Sequence, residues 1–273
     1  MQSIRRNHLI RYFVFVYVLF WILLGLTGVL ISLKVSLLVQ QIMKNVCAWA
    51  PTFVIAVLFK KLFPNTTLRD YLKSNFLSKV SPMVFVLSLL VQAAVVCVAI
   101  AAYLVAMHLS ISSLSVTGIA TLPTLLLVNI TSGPLGEELG WRGFALNELQ
   151  KKYAPFTSSV ILAVFWGFWH TPLWLISGYS GMNLLLYIAF FLIGIFSISI
   201  LITAIYNRNK NIIVAMWIHF LFNFLLALPK IDTLPLWGYT SSAYAILAAV
   251  WCVFDRKAFV KPIGIDKAAT ALI

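Results

Sequence analysis

Residues 153–207 read YAPFTSSVILAVFWGFWHTPLWLISGYSGMNLLLYIAFFLIGIFSISILITAIYN, and this stretch contains no Asp, Glu, Lys or Arg. About 20 apolar residues cross a bilayer as one helix, so the stretch is long enough for two crossings, divided at residues 177–181. The whole chain has 273 residues, of which 62% are hydrophobic and 10% are charged. A soluble protein of this size needs more polar surface to cover its core. We therefore predict an all-α, polytopic membrane helix bundle.

The other uncharged runs extend this prediction to about eight transmembrane helices in a single integral membrane domain, residues 1–273. The expected positions are 12–33, 37–59, 82–107, 118–149, 157–177, 183–206, 211–229 and 239–255. The fourth span is interrupted at residues 132–134, which read Ser-Gly-Pro. Because proline suits the first turn of a helix, we expect a new helix to begin there and to run to Gln150.

The basic residues predict the orientation of the bundle. With the N-terminus inside, sixteen Lys and Arg residues fall on the cytoplasmic side and three (Lys34, Lys44 and Lys230) on the other, while Arg142 lies within a span. This is the asymmetry of the positive-inside rule. Both the N and C termini and the loop 60–81 are therefore expected to be cytoplasmic. That loop is expected to be either a basic amphipathic helix on the inner leaflet or a plain connection.

The charge and cysteine content exclude two other classes of function. The net charge of +13 does not indicate a nucleic-acid partner, because the cytoplasmic loops of a membrane protein supply such an excess. The three cysteines, Cys47, Cys97 and Cys252, lie in apolar segments without metal-ligand spacing, so we interpret them as core residues. The expected partner is the lipid bilayer, and the compact loops favour a multi-pass protein of a bacterial plasma membrane.

One pair of adjacent carboxylates lies inside the fourth span: Glu137 and Glu138, two of only seven acidic residues in the chain. Ionisable groups at membrane depth cost several kcal/mol unless they are paired, and they usually mark function. Glu138 and Arg142 are four residues apart on one helix, so their side chains can form an ion pair. Glu137 points about 100° away and has no obvious local partner. The sequence thus predicts a structural Glu138–Arg142 pair beside a free Glu137.

Two histidines lie at similar depth on other spans. His170 precedes Pro172, which is expected to bend or end its helix. His219 and Asn223 are four residues apart and share one face of the seventh span. At about 1.5 Å per residue, Glu137 and His170 lie roughly 20 Å, and His219 roughly 13 Å, from cytoplasmic helix ends. Either histidine alone is equally well explained as a hydrogen-bonding residue between helices, but the joint pattern predicts one polar cavity.

This joint pattern resembles the CAAX prenyl protease type II and bacteriocin-processing family, also called CPBP or Abi proteins. The family motif Glu-Glu-x-x-x-Arg is matched at residues 137–142, and His-x-x-x-Asn/Asp is matched at residues 219–223. The motif Phe-x-x-x-His is matched at His170, with Trp166 in place of the Phe. The resemblance covers a family-like catalytic core, residues 118–230.

The resemblance implies an intramembrane endopeptidase that cleaves a peptide or membrane-protein substrate. It implies that Glu137, helped by His170, activates the attacking water, while His219 and Asn223 stabilise the oxyanion. Members are often described as metalloproteases, and a zinc ion would use Glu137, His170 and His219 with an open position. A glutamate mechanism without metal uses the same residues. Because the chain has no His-Glu-x-x-His sequence, we expect no tightly bound metal.

Two functions of other classes stay open. A non-proteolytic membrane protein with the same fold, either a bacteriocin self-immunity factor or a scaffold for sensor kinases, would keep these motifs without cleaving peptides. A transporter would use charges at the membrane midplane as an ion path. The absence of repeat symmetry in the sequence, and the confinement of the intramembrane acids to one cluster, disfavour the transporter.

Overall fold

The computed structural model of the protein describes residues 2–260, with side chains from residue 8 onward. The C-terminus, including Lys261 and Lys267, lies outside the described residues, so its predicted position has no counterpart in the structure. Between residues 2 and 260 the regular structure is helical, apart from one isolated antiparallel bridge between Val116 and Pro229. The predicted all-α membrane bundle is confirmed.

The helices follow one another along the whole described chain. They are α1 Gln2–Ser32, α2 Leu37–Ala48, α3 Ala50–Leu62, α4 Leu68–Phe76, α5 Pro82–Ala106, α6 Leu122–Thr131, α7 Pro134–Gly140, α8 Asn147–Gln150, α9 Pro155–Trp169, α10 Thr171–Leu175, α11 Gly181–Asn209, α12 Ile212–Ala227, α13 Thr233–Phe254 and α14 Arg256–Val260. Short 3-10 turns occupy Ile111–Ser113 and Ile119–Thr121, and a π-helical turn, Trp141–Leu146, joins α7 to α8.

All eight predicted spans are helical, but they differ in length. Five segments are long and apolar enough to cross a membrane: His8–Ser32, Pro82–Ala106, Ile119–Gln150, Gly181–Asn209 and Thr233–Phe254. Helices α2 and α3 together are long enough for a sixth membrane crossing. They meet at a bend of 52°, so this crossing would be a broken span. Helices α9 and α12 have 15 and 16 residues, fewer than the ~20 of a full crossing. His219 lies on α12, and His170 directly follows the last residue of α9.

Contacts between loops divide the bundle into two ends. At one end the Ser78 hydroxyl donates to the carbonyl of Lys210 at 2.7 Å, and Arg208 forms an ion pair with Asp255. At the other end the backbone N–H of Lys230 donates to the carbonyl of Ser115 at 2.8 Å. Asn207 also donates to Gln150, at the end of α8, at 2.8 Å. The described basic segments after α4, α8, α11 and α13 therefore lie at the same end. That this end is cytoplasmic stays a prediction.

The loop 60–81 contains the short helix α4, so of the two expectations for this segment the helical one is observed. Arg69 and Lys73 are exposed, whereas Tyr71 is buried and its hydroxyl donates to the carbonyl of Leu139 at 3.1 Å. Helix α4 therefore contacts the C-terminal end of α7 through Tyr71, at the basic end of the bundle.

Two glycines bring α7 into close contact with its neighbours. A Cβ atom on Gly136 would lie 2.6 Å from Cδ1 of Trp49, and one on Gly140 would lie 2.6 Å from Cβ of Pro51. Both distances are shorter than any ordinary contact, so only glycine permits this approach. Small residues four apart are the usual device for close helix packing in membranes. The pair draws the acidic helix into the interior of the bundle.

Candidate active site

The break between α6 and α7 places the two carboxylates inside the bundle. Helix α6 ends at Thr131 and α7 begins at Pro134, as the sequence predicted. Glu137 lies in the first turn of α7, where its backbone N–H donates to the carbonyl of Gly133 at 2.9 Å. Glu137 and Glu138 are only 3% and 0% exposed. Carboxylates buried this deeply need hydrogen-bonding or charged partners.

Both hydrogen-bonding partners of Glu138 contact the same carboxylate oxygen. Arg142 Nη1 lies 2.8 Å from Glu138 Oε1, which is the ion pair predicted from their spacing. His219 Nδ1, on α12, lies 2.7 Å from the same oxygen. Because a carboxylate oxygen only accepts, the His219 proton in this bond lies on Nδ1. Glu138 therefore ties α7 to α12 and turns His219 Nε2 away from itself, a role that its spacing to Arg142 did not predict.

Glu137 is held by two indole groups. The Nε1–H of Trp166, on α9, donates to Glu137 Oε2 at 2.7 Å. The Nε1–H of Trp141 donates to the same oxygen at 3.3 Å. Glu137 was expected to have no obvious local partner; Trp141, four residues along, is one because indole N–H groups donate. Both partners are neutral, so Glu137 has hydrogen bonds but no cation bound to it.

The other oxygen of Glu137, Oε1, lies next to the place that a side chain at residue 133 would take. Because Gly133 has no side chain, this place is called the open position. A Cβ atom on Gly133 would lie 3.5 Å from Glu137 Oε1, 3.5 Å from His219 Nε2 and 3.2 Å from Asn223 Nδ2. Three polar atoms, one from α7 and two from α12, thus converge beside Gly133 within or close to hydrogen-bond range of one point. This is the arrangement expected when a reacting atom must contact a base and two further polar groups.

His170 lies at the junction of α9 and α10, where the sequence predicted a bend. It is partly buried, and its Nδ1 lies 2.7 Å from the carbonyl of Trp166. A carbonyl only accepts, so Nδ1 carries the proton and Nε2 keeps its lone pair. Within residues 8–260 no hydrogen bond joins His170 to Glu137 directly. Trp166 connects them instead, through its side chain to Glu137 and through its backbone to His170.

The candidate zinc ligands do not form a ready metal site. Among the described residues no three His, Cys, Asp or Glu side chains are grouped closely enough to hold a metal ion. His219 Nδ1 is already bound to Glu138, and His170 Nδ1 to a carbonyl. These two bonds leave both Nε2 atoms free, as in metal-ligating histidines, so they are compatible with zinc. The three side chains are not grouped around one point in this arrangement, and no step of the mechanism below passes through a metal.

Helix α12 is held in place from behind by a buried amide. Gln92, on α5, donates through Nε2 to the carbonyl of Ile218 at 3.2 Å. Its Oε1 accepts from the hydroxyl of Tyr244, on α13, at 2.9 Å. Both polar side chains are almost fully buried, and each side-chain atom of the amide has a partner. The amide thus anchors the residue before His219 to helices on both sides.

The sequence did not predict four parts of this site: Gly133 as the open position, the indole donors Trp141 and Trp166, and the Gln92 anchor. One signal was available, because Trp166 stands where the related motif has Phe, and Trp adds an N–H donor. A polar amide inside the otherwise apolar helix α5 was a second signal. The sequence gives no such signal for Gly133, since glycine beside proline is equally typical of a plain helix start.

Comparison with known proteins finds a match for the segment that carries these residues. Residues 119–225 match a family model described as type II CAAX prenyl endopeptidase, Rce1-like. The central segment of the chain is therefore similar to these endopeptidases. This confirms the resemblance predicted from the motifs, and the Rce1-like segment falls within the predicted core 118–230. It contains every candidate site residue, namely Glu137, Glu138, Arg142, His170, His219 and Asn223.

A curated relative carries a name of the same kind. CAAX prenyl protease 2 of Methanococcus maripaludis is 34% identical over 136 residues, which is 47% of this chain and 49% of the relative. The chain thus spans about half the length of the curated relative that it matches. Both the family description and the name of the relative refer to proteases, and the fold is that of a multi-pass membrane protein.

Proposed function

We propose that the protein is an intramembrane endopeptidase that hydrolyses a peptide bond in a membrane-associated peptide or protein. The observation that carries the proposal is the convergence of Glu137 Oε1, His219 Nε2 and Asn223 Nδ2 within 3.5 Å of one point beside Gly133. Peptide hydrolysis needs a base for water and donors for the oxyanion, both within hydrogen-bond reach of the reacting atoms. The Rce1-like match supports the same class of reaction.

In this mechanism Glu137 Oε1 takes a proton from water as the water oxygen attacks the carbonyl carbon of the substrate. The carbon–nitrogen bond then breaks, and the proton passes from Glu137 to the leaving amine. Glu137 suits this role because Oε2 alone carries its two hydrogen bonds, which leaves Oε1 free to face the reacting atoms. A positioned general base contributes about 10²–10⁴ in rate.

Asn223 and His219 would bind the oxyanion that forms on the carbonyl oxygen. The Asn223 amide nitrogen is a donor in every state, whereas His219 Nε2 donates only when both ring nitrogens are protonated. In that doubly protonated state the contact of the His219 ring with Glu138 at 2.7 Å would stabilise the added charge.

His170 would assist by accepting a hydrogen bond from the attacking water. Its Nδ1 proton is bound to the carbonyl of Trp166, so the remaining lone pair on Nε2 is available. The same backbone bond prevents the ring from turning. In this role His170 orients water, while Glu137 removes the proton.

Comparing peptide termini between two strains tests the proposal even though the substrate is not identified. Cells producing either the wild-type protein or Glu137→Gln at equal levels are fractionated, and new peptide termini in their membranes are mapped by mass spectrometry. Termini that appear only with the wild type are expected. The surface variant Glu148→Gln is the matched control and should reproduce the wild-type set. Identical sets with wild type and Glu137→Gln would overturn the proposal.

The same strains separate the enzyme from a scaffold or immunity protein. If the Glu137→Gln strain keeps both the cellular phenotype and the wild-type set of termini, a non-proteolytic role becomes the better explanation.

The proposed location is the plasma membrane of a bacterial cell, with the basic end of the bundle in the cytoplasm. Cysteine labelling of residue 70 in intact cells checks this, since labelling from outside would reverse the orientation.

A further inference from the structure

Building on the proposed endopeptidase function, we propose that the indole N–H of Trp166 is a positioning group for Glu137, with Trp141 as a weaker second donor. Residue 166 is the place where this chain departs from the Phe of the related motif. A Phe ring at this place fills space but donates no hydrogen bond. The replacement therefore adds a contact to the proposed base that the motif itself does not provide.

The geometry of the carboxylate supports a positioning role. Both indole donors bind Oε2, at 2.7 Å from Trp166 and 3.3 Å from Trp141. Two donors on one oxygen fix the rotation of the carboxylate about its last bond, so the other oxygen points to the open position beside Gly133. A base acts only on protons within its hydrogen-bond reach, so this rotation determines whether Glu137 can remove a proton from the attacking water.

Trp166 also touches three other members of the site, which makes it the common neighbour of the cluster. The Arg142 guanidinium lies over its ring at 4.2 Å from the ring centroid. Its ring meets the His219 ring edge-on, with the centroids 5.0 Å apart. Its carbonyl accepts from His170 at 2.7 Å. A Phe at this position would keep an aromatic ring and the carbonyl but lose the N–H, so the Trp166→Phe variant removes this hydrogen bond together with part of the ring.

The chain offers a matched control on the same helix. Trp169 is as buried as Trp166, at 1% exposure for each, but its indole nitrogen has no hydrogen-bond partner in the described part of the protein. Trp169→Phe therefore removes the same atoms from the same helix without removing a hydrogen bond. A loss caused only by reduced ring size would appear in both variants.

The experiment measures cleavage of one substrate found by the mapping of termini, using full-length variants in lipid nanodiscs. Removing a hydrogen bond to a charged group should lower kcat by about 10–100-fold in Trp166→Phe, with KM nearly unchanged. Trp141→Phe should lose less because its bond is longer, and Trp169→Phe should stay near wild type. Equal kcat values for Trp166→Phe and Trp169→Phe would overturn the proposal.

A second measurement needs no substrate. The carboxyl infrared band that disappears in Glu137→Gln should shift in Trp166→Phe but not in Trp169→Phe, because only the former changes the hydrogen bonds of that carboxylate. An unshifted band would overturn the proposal. If Trp166→Phe fails to fold, 3-benzothienylalanine at this position keeps the ring shape without the N–H, and the same two readouts apply.

Failure of this proposal is distinguishable from failure of the proposed function. If Glu137→Gln abolishes cleavage while Trp166→Phe cleaves as fast as Trp169→Phe, the enzyme assignment stands and the positioning role falls. If Glu137→Gln cleaves normally, the proposed function itself falls. In the double variant Trp166→Phe/Glu137→Gln, the Trp change should cost almost nothing further, since the group it positions is gone.

Discussion

Glu137 and Glu138 are adjacent in sequence and similarly buried, but their surroundings differ in charge. Glu138 shares one oxygen between Arg142 and His219, so its charge is compensated and it links two helices. Glu137 accepts only from neutral indole groups and keeps its second oxygen free beside Gly133. The difference teaches that partners, rather than depth, separate a structural carboxylate from one available for chemistry.

The helical geometry makes this division possible. Successive residues on an α-helix point about 100° apart, so the two side chains enter different spaces. Glu138 points with Arg142 toward α12, and Glu137 points toward α9 and the open position. A dyad of acids at one depth in the membrane can therefore combine one fixed ion pair with one reactive group. Four sets of substitutions test this division.

The largest effect is expected for Glu137→Gln. The amide oxygen can still accept both indole hydrogen bonds, so the shape of the site is kept while the base is lost. Turnover should fall by about 10²–10⁴, and the thermal unfolding temperature should change little. Steady-state cleavage and thermal unfolding in detergent measure the two quantities. Full turnover in a well-folded variant would remove the distinction between the two carboxylates.

Glu138→Gln should show the opposite balance, with stability as the main loss. Breaking a buried ion pair by removing one partner costs about 3–5 kcal/mol, because Arg142 is left uncompensated. Glu148→Gln is the matched control, since its pair with Lys151 lies at the surface and should be worth less than about 1 kcal/mol. Unfolding curves of the wild type, Glu138→Gln and Glu148→Gln measure these differences in stability. Equal stability of Glu138→Gln and wild type would contradict a structural role for this pair.

The two proposed oxyanion donors should rank in a defined order. Losing one donor costs about 10²–10³ in kcat, so His219→Ala should fall in this range and Asn223→Ala at or below it. The order follows because His219 as an imidazolium donates with charge, whereas Asn223 donates as a neutral amide. Asn209→Ala, an amide near the far end of α11, serves as the control for kcat. A larger loss in Asn223→Ala than in His219→Ala would argue against the protonated histidine.

The smallest of the four effects is expected for Gly133→Ala. Its methyl group would occupy the open position and lie 3.2 Å from Asn223 Nδ2, so neighbouring atoms would have to shift by a few tenths of an ångström. Misplacing reacting groups by as little as 1 Å costs about 10²-fold, so kcat should fall by up to that factor. Gly118→Ala is the control, because nothing lies near its added methyl group. Unchanged kcat in Gly133→Ala would place the reacting atoms elsewhere.

Local features of the site were predictable from the sequence for a physical reason. The break at residues 132–134 follows from the backbone of proline, and the Glu138–Arg142 pair follows from the pitch of one helix. The same pitch puts His219 and Asn223 on one face of α12. Each of these features depends on residues no more than four apart, so the packing between helices did not enter.

The structure departs from the simple span map in several places. Two spans, α9 and α12, are shorter than a full crossing, and α2 meets α3 at a bend of 52°. The helix after Glu138 also widens to a π-helical turn over Trp141–Leu146. Such turns often occur at functional sites, but neither hydropathy nor helix propensity encodes them, because both describe residues one at a time.

The sequence by itself determined the class of protein, the helix that carries the acids and the spacing of the polar residues, because hydrophobicity and helical pitch act along the chain. Only the tertiary structure decided which carboxylate binds which partner. His219 and Glu138 are 81 residues apart, and Trp166 and Glu137 are 29 apart, so both contacts depend on how three helices rotate and close-pack. That rotation follows from glycine contacts and buried hydrogen bonds between helices, which no stretch of sequence contains alone.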